Sequence, residues 1–151
     1  MAQVVNPHKK FLWSITLFGM NPFTAQKVTL PDRDIDAIEH GEGNHVIKTA
    51  GMVKLGTLKV DRIFSASAPN RLFWDWINII QNEIVGGGAI PDIYKKTAQV
   101  QFLSTDGISI KNSYTFGGLW PSKINGIELD RVSSDNTVET IEFQVDEELK
   151  L

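Results

Sequence analysis

Two of the three histidines, His40 and His45, flank Glu42 in the run His40-Gly41-Glu42-Gly43-Asn44-His45, with His8 far upstream. Such a trio could ligate a metal, but its spacing matches no helical zinc motif and no further ligand is evident. A solvated glycine-rich segment is the better reading. Gly86-Gly87-Gly88 invites comparison with a phosphate-binding loop. No Gly-Lys-Ser/Thr follows it, and the run sits after a helical pattern, so no helix N-terminus faces a phosphate. Gly-x-Ser-x-Gly is absent, which removes the nucleophile elbow of hydrolases. Asp135, Glu139, Glu142, Asp146, Glu147 and Glu148 fall in a stretch without Lys or Arg. A glycosidase needs two carboxylates facing each other across a cleft, whereas these line one strand and its flanks. The absence of cysteine removes thiolate metal sites, cysteine nucleophiles and disulfides together. No catalytic, cofactor or metal site is expected, and the protein reads as a non-enzyme.

Other residues point to surfaces. Tyr94-Lys95-Lys96 is a basic turn suited to an acidic strip on a neighbouring subunit. Trp76 and Trp13 fit apolar faces, but Trp74 falls off its helical stripe beside Asp75, and Trp120 precedes Pro121. Tryptophan in such places packs under a loop or is covered by a partner. Trp74, Tyr94, Lys95, Lys96 and Trp120 are therefore candidate inter-subunit contacts. The net charge of −3 does not suit a broad phosphate-gripping face.

The elements that must position these residues are mostly strands. Phe11, Trp13, Ile15 and Leu17 alternate with Leu12, Ser14 and Thr16, and Leu58, Val60 and Phe64 and, near the end, Ile141, Phe143 and Val145 likewise share one face. A strand over 26–30 precedes an ambiguous polar stretch at 34–39. The segment 40–56 is either a protruding hairpin or a long loop, and its glycines raise the entropy of the free state. One helix is predicted over 70–84 from the stripe Phe73, Trp76, Ile77, Ile80 and Ile84, with Ser67 as N-cap, Pro69 in the first turn and Gly86-Gly87-Gly88 as the stop. Strands at 97–103 and 108–116 flank the turn Ser104-Thr105-Asp106-Gly107, Gly117 to Pro121 breaks the second of them, and the last strand spans 138–147. Many strands around one helix, without βαβ alternation, predict a mainly β protein. The expected fold is an antiparallel sandwich or barrel of two sheets with a flanking α-helix, in one domain over 1–151. No apolar run approaches the roughly 20 residues that cross a bilayer, and no leader segment is visible, so synthesis in a cytoplasm is expected.

The segment from Gly86 to Glu142 resembles the tail tube proteins of contractile-tailed bacteriophages. Trp74-Asp75-Trp76-Ile77 precedes the glycine run and Tyr94-Lys95-Lys96-Thr97-Ala98. Gly118-Leu119-Trp120-Pro121-Ser122 and then Asp135-Asn136 with Glu139-Thr140-Ile141-Glu142-Phe143 follow in the same order. The likeness extends over about residues 40–148.

That resemblance implies a structural subunit with no cofactor. It implies a hexameric ring whose inner sheets join into a lumen wall, with rings stacked into a tube inside a contractile sheath. The implied partners are further copies of the chain, the tail sheath protein, baseplate and tail terminator proteins, and duplex DNA passing through without specific binding. The place is the virion tail, assembled in a bacterial host cytoplasm. Inner tubes of contractile injection systems are the second reading, and a carbohydrate-binding sandwich the third. On this reading His40, Gly41, Gly43, His45, Lys48, Gly51 and Lys54 belong to a ring-stacking or inter-subunit segment. Glu142, Asp146 and Glu148 are expected on a net-negative lumen or polar face, where acidic groups keep DNA mobile.

Overall fold

Nine strands form among the described residues of the computed structural model, which describes residues 7–21, 23–64, 71–81, 88 and 90–149. In chain order these are β1 (Trp13–Leu17), β2 (Thr24–Thr29), β3 (Arg33–Glu42), β4 (His45–Leu55) and β5 (Thr57–Ile63). Two helices follow, α1 (Leu72–Ile80) and the single turn α2 (Pro91–Tyr94). Then come β6 (Lys96–Leu103), β7 (Ile110–Ile124), β8 (Val138–Gln144) and β9 (Glu147–Leu149).

All pairings are antiparallel, and β7 belongs to two sheets. Its first half lies between β6 and β9, with β1 beyond β6. Its second half pairs β8 in a sheet ordered β7-β8-β5-β2. The strand changes sheet at Gly117-Gly118, where Gly118 has φ +66°. Only glycine holds that conformation without strain, and the Asp146 side chain occupies the place where a Cβ on residue 118 would stand. Leu119, Ile141 and Phe143, with Leu58 and Val60 of β5, Ala98 of β6 and Leu17 of β1, fill the space between the sheets. Phe73 and Trp76 of α1 close it. Each fully buried side chain of this size stabilises the fold by about 1.5–3 kcal/mol. Phe73 packs edge-on against both Phe23 and Phe143.

The mainly β, two-sheet architecture with a flanking helix matches the alternation in the sequence. Several details differ. Phe11 lies before β1 and is exposed. The ambiguous stretch 34–39 is strand β3, held by pairing with β4. No break occurs at Gly117 to Pro121, because the glycines bend β7 while its pairing moves from β6 to β8. The closing strand divides into β8 and β9, because the chain turns at Val145-Asp146 to return to β7. Helix α1 ends at Ile80, with Gln81 already extended, so the glycine run is not its stop. Ser67, Pro69, Ile84, Gly86 and Gly87 lie outside the described residues. Arg71 occupies the N-cap position and makes no side-chain capping bond.

Candidate functional site

The glycine-rich segment is a hairpin. β3 and β4 pair from Arg33 opposite Leu55 to Glu42 opposite His45, and Gly43, at φ +62°, makes the tight turn. A bulge between Ile35 and Ala37 sets Gly51 beside the Asp36 carbonyl, leaving little room for a side chain. Lys54 pairs with Asp36 at 2.9 Å, and the His40 ring lies 3.3 Å from Thr49 Oγ1. Lys48 stands opposite Glu39. Alternation puts His40 and Glu42 on one face with His45, but among the described residues no group of three His, Cys, Asp or Glu is placed to hold a metal.

This two-stranded sheet stands apart from the rest of the molecule. Every residue of β3 is exposed, and so is all of β4 except the half-buried Gly51 and Leu55. Ile35, Ile38, Val46, Ile47, Met52 and Val53 all face solvent. The hairpin is tied to the body at its base, where Gly56 N–H donates to the Asp32 carbonyl and Arg33 Nη1 donates to Glu148 at 3.0 Å. An isolated two-stranded hairpin is at best marginally stable in water. Exposed β-branched side chains on a paired but uncovered sheet mark a surface for a partner.

The carboxylates expected on one polar face are separated by the strand break. Glu142 lies on the outer face of the four-stranded sheet, Asp146 in the turn after β8, and Glu148 on β9 in the other sheet. Each meets a cation from elsewhere in the chain: Lys59 at 3.5 Å, Lys95 at 2.6 Å and Arg33 at 3.0 Å, respectively. The hydrogen bond to Asp146 raises the Lys95 pKa. Lys95 thus meets a carboxylate of its own subunit. The other candidate contacts also have partners within the chain. Tyr94 packs edge-on to Trp120, its carbonyl accepts the Trp76 indole N–H at 2.7 Å, Lys96 lies over the Trp76 ring, and Arg71 over Trp74.

Sequence reasoning placed Glu139 on an acidic face and passed over Arg62. Both are buried, opposite each other on β8 and β5, with Arg62 Nη1 3.6 Å from Glu139 Oε1. That separation is an ion pair beyond good hydrogen-bond length. Burial pushes the Glu139 carboxyl up, opposed by Arg62 and, more weakly, by the Trp74 side chain. Burial likewise lowers the Arg62 pKa against the pull of Glu139. The guanidinium also stacks over Phe64 and Phe73. The signal was in the phase: Arg62 follows Leu58 and Val60, and Glu139 precedes Ile141 and Phe143, each on the core side of its strand.

The described residues form a mainly β sandwich with one protruding hairpin. The model of the T4-like virus tail tube protein gp19 family matches residues 9–148. The chain belongs to that family. No curated protein matches this tube-family chain. Among solved structures, the tube terminating cap of the anti-feeding prophage aligns at TM-score 0.78 and 19% identity, over 99% of this tube protein and 93% of that chain. A chain of the sheath-tube complex of the extracellular contractile injection system PVC, in the extended state, aligns at TM-score 0.75 and 19% identity, over 95% and 90%. Hcp1 from Flavobacterium johnsoniae aligns at TM-score 0.53 and 15% identity, over 89% and 90%. At these identities the likeness concerns the fold. No helix among the described residues of the tube protein is long and apolar enough to cross a membrane.

Proposed function

We propose that this chain is the repeating subunit of a contractile-tail tube, forming hexameric rings that stack into a hollow conduit within a sheath. The reading is structural and not enzymatic. The observation that carries it is the uncovered β3–β4 hairpin, whose exposed isoleucine, valine and methionine side chains call for further copies of the same chain. The sheet β7-β8-β5-β2 adds a second reason. Among the described residues its outer strands, β2 and the second half of β7, have no further strand beside them. Joining them between neighbours removes open edges, and a heterologous contact of that kind closes into a ring.

On this reading the outer face of that sheet lines the lumen. It carries Lys27, Lys59, Asp61, Lys123, Glu142 and the polar Ser122, Thr140 and Gln144, with Lys27 opposite Asp61 and Glu142 between Lys59 and Lys123, tied by Thr140–Asp61 and Gln144–Ser122 hydrogen bonds and the Lys59–Glu142 pair. Three lysines and two carboxylates make this face mixed in charge and not net-negative, but each carboxylate stands opposite lysine, so the wall offers DNA no continuous basic track, few counterions are released and the cargo slides. The cargo is taken as phage DNA, the assembly as part of a virion built in the host cytoplasm, and the sheath, baseplate and terminator proteins as its partners.

A second reading is the inner tube of an injection system that delivers protein effectors, favoured by the similarity to chains of the anti-feeding prophage and PVC assemblies. The carbohydrate-binding alternative finds no support in the aromatic residues. Trp13, Trp74, Trp76 and Trp120 are half-buried or buried, so none is the exposed platform on which a sugar stacks.

Electron microscopy of the purified protein tests the proposal, with rings and tubes the expected result and a strict monomer at high concentration its refutation. Replacing Ile38–Thr49 by Asn-Gly shortens the hairpin at the register pair Ala37/Ala50 and keeps a tight turn. That variant is expected to form rings that do not stack. Glu142→Lys sets three lysines in one row across β5, β8 and β7 and makes the proposed lumen strongly basic. The expected outcome is normal tails with slowed genome ejection. Normal ejection with failed sheath assembly would place the residue outside the tube.

A further inference from the structure

The hairpin leaves one end of the four-stranded sheet, and the longest irregular segment lies at the other end. The connections to β3 and β4 emerge where Thr29 meets Lys59 and Thr57 meets Gln144. The opposite end is marked by Ile63 with Thr24 and Val138, and by Ile124 with Ile141. There the segment 125–137 links β7 to β8. It is anchored by Asn125 N–H to the Thr140 carbonyl and by Phe64 N–H to the Thr137 carbonyl. A loop of this length without regular structure is uncommon in a compact fold and usually has a task.

The loop presents what a soluble surface normally hides. Leu129 is 80% exposed and Val132 is 93% exposed. Asp130 Oδ1 accepts the Val132 N–H at 3.0 Å, and its carbonyl accepts the Ser133 N–H, so a formed turn displays these two side chains. Beside them a concavity of about 900 Å³ runs between the loop and the start of β8, lined by residues that include Gly126, Leu129, Arg131 and Val138. At the far end, Ile38 and Ile47 lie diagonally across one hairpin face, 47% and 40% exposed.

These two apolar surfaces cannot meet within one subunit, since the length of the sheet separates them. A second copy displaced along the sheet axis brings the hairpin of one to the loop of the next. The contact is heterologous and leaves a fresh hairpin and a fresh loop at the two ends, so it repeats without closing. It covers both faces of the problem at once: a hairpin too small to be stable alone and a loop with solvated Leu and Val. We infer that the 125–137 loop, through Leu129 and Val132, is the receiving surface for the Ile38/Ile47 face of the hairpin of a second copy in the adjacent ring.

The inference rests on the tube reading, and paired end-specific variants separate the two. Ile38→Asp with Ile47→Asp disables the hairpin and leaves the loop intact. Leu129→Asp with Val132→Asp does the reverse. Each variant alone is expected to give single rings. Mixing the two ring preparations is expected to give two-ring particles and nothing longer, because one functional contact forms and both outer ends are dead. Normal tubes from the loop variant, or a mixture that stays as single rings, overturn the inference. Normal naked tubes that fail to be sheathed assign the loop to the sheath, and also overturn it. Wild-type protein that gives neither rings nor tubes refutes the tube reading instead. Because the chain has no cysteine, cross-linking provides a test in otherwise intact tubes. Four double variants place one cysteine at Ile38 or Ile47 and the other at Leu129 or Val132. Mild oxidation of assembled tubes is expected to yield an inter-subunit ladder with at least one pair, since a disulfide requires Cα atoms within about 7 Å. No ladder with any of the four is the contrary result.

Discussion

Glu139→Ala is expected to destabilise the subunit by about 3–5 kcal/mol, because it removes the carboxylate that faces the buried Arg62 guanidinium. The pair lies under α1, with the guanidinium over the Phe64 and Phe73 rings and both side chains buried. Replacing both residues, as in Arg62→Met with Glu139→Leu, is expected to recover most of the loss, since an apolar pair of similar volume has no desolvation to offset. Urea unfolding followed by tryptophan fluorescence measures both, and Trp74 and Trp76 report from the adjacent helix. A Glu139→Ala variant as stable as wild type would show that the pair is not buried in solution. The pH dependence has a definite sign. Burial raises the Glu139 pKa in the fold, so the native state holds this proton over a window in which the unfolded chain has lost it. Its contribution is therefore fully present below the ordinary glutamate value and is lost as pH rises through the raised value. The stability of wild type relative to Glu139→Gln is expected to fall across that window and to be flat outside it.

Gly118→Ala is expected to cost about 2–4 kcal/mol, the sum of a left-handed conformation forced on an L-residue and a clash in a packed corner. The clash is with Asp146, whose backbone N–H donates to the Gly117 carbonyl and whose carboxylate accepts from Lys95. Relief by moving Asp146 would sever β9 from the bend in β7. Two control positions give a graded scale. Gly107 also has positive φ, but open space surrounds it, so Gly107→Ala is expected to cost about 1 kcal/mol from conformation alone. Gly126 has neither constraint, and Gly126→Ala is expected to be neutral. Thermal or urea denaturation of the three variants checks the order. Equal losses at Gly118 and Gly107 would show that Asp146 yields freely and that the corner is not packed.

The nearby turn illustrates a local rule that needs no tertiary help. Asp106 accepts hydrogen bonds from the Ser104 hydroxyl, the Ile108 and Ser109 N–H groups and the Ser109 hydroxyl, which together hold its carboxyl well below the usual range. All of these partners lie within three residues, so the Asp-Gly signal alone was sufficient to locate the turn.

What the sequence determined by itself is of this short-range kind. Period-two alternation located β1, β5, β6 and β8 to within a few residues, because side chains in a strand choose their face by burial alone. The stripe Phe73, Trp76, Ile77 and Ile80 located α1, because helical spacing gathers them on one side. The absence of converging nucleophiles, ligands and phosphate loops pointed away from catalysis at the level of composition. The tertiary structure decided everything that depends on residues distant in the chain. Strand β3 is polar along most of its length and has no pattern of its own, so only pairing with β4 makes it a strand. The glycines at 117 and 118 read as a break, yet they bend a continuous β7, because β6 and β8 supply hydrogen-bond partners on either side. Lys59, Lys95 and Arg33 neutralise carboxylates between about 50 and 115 positions away, a pairing that no local window contains. Arg62 and Glu139 stand in phase with core residues, yet Glu139 reads as part of an acidic face and Arg62 carries no signal of its own, because an isolated charge is too costly to bury. Their burial depends on a partner from another strand, and only the register of β5 against β8 brings that partner within reach.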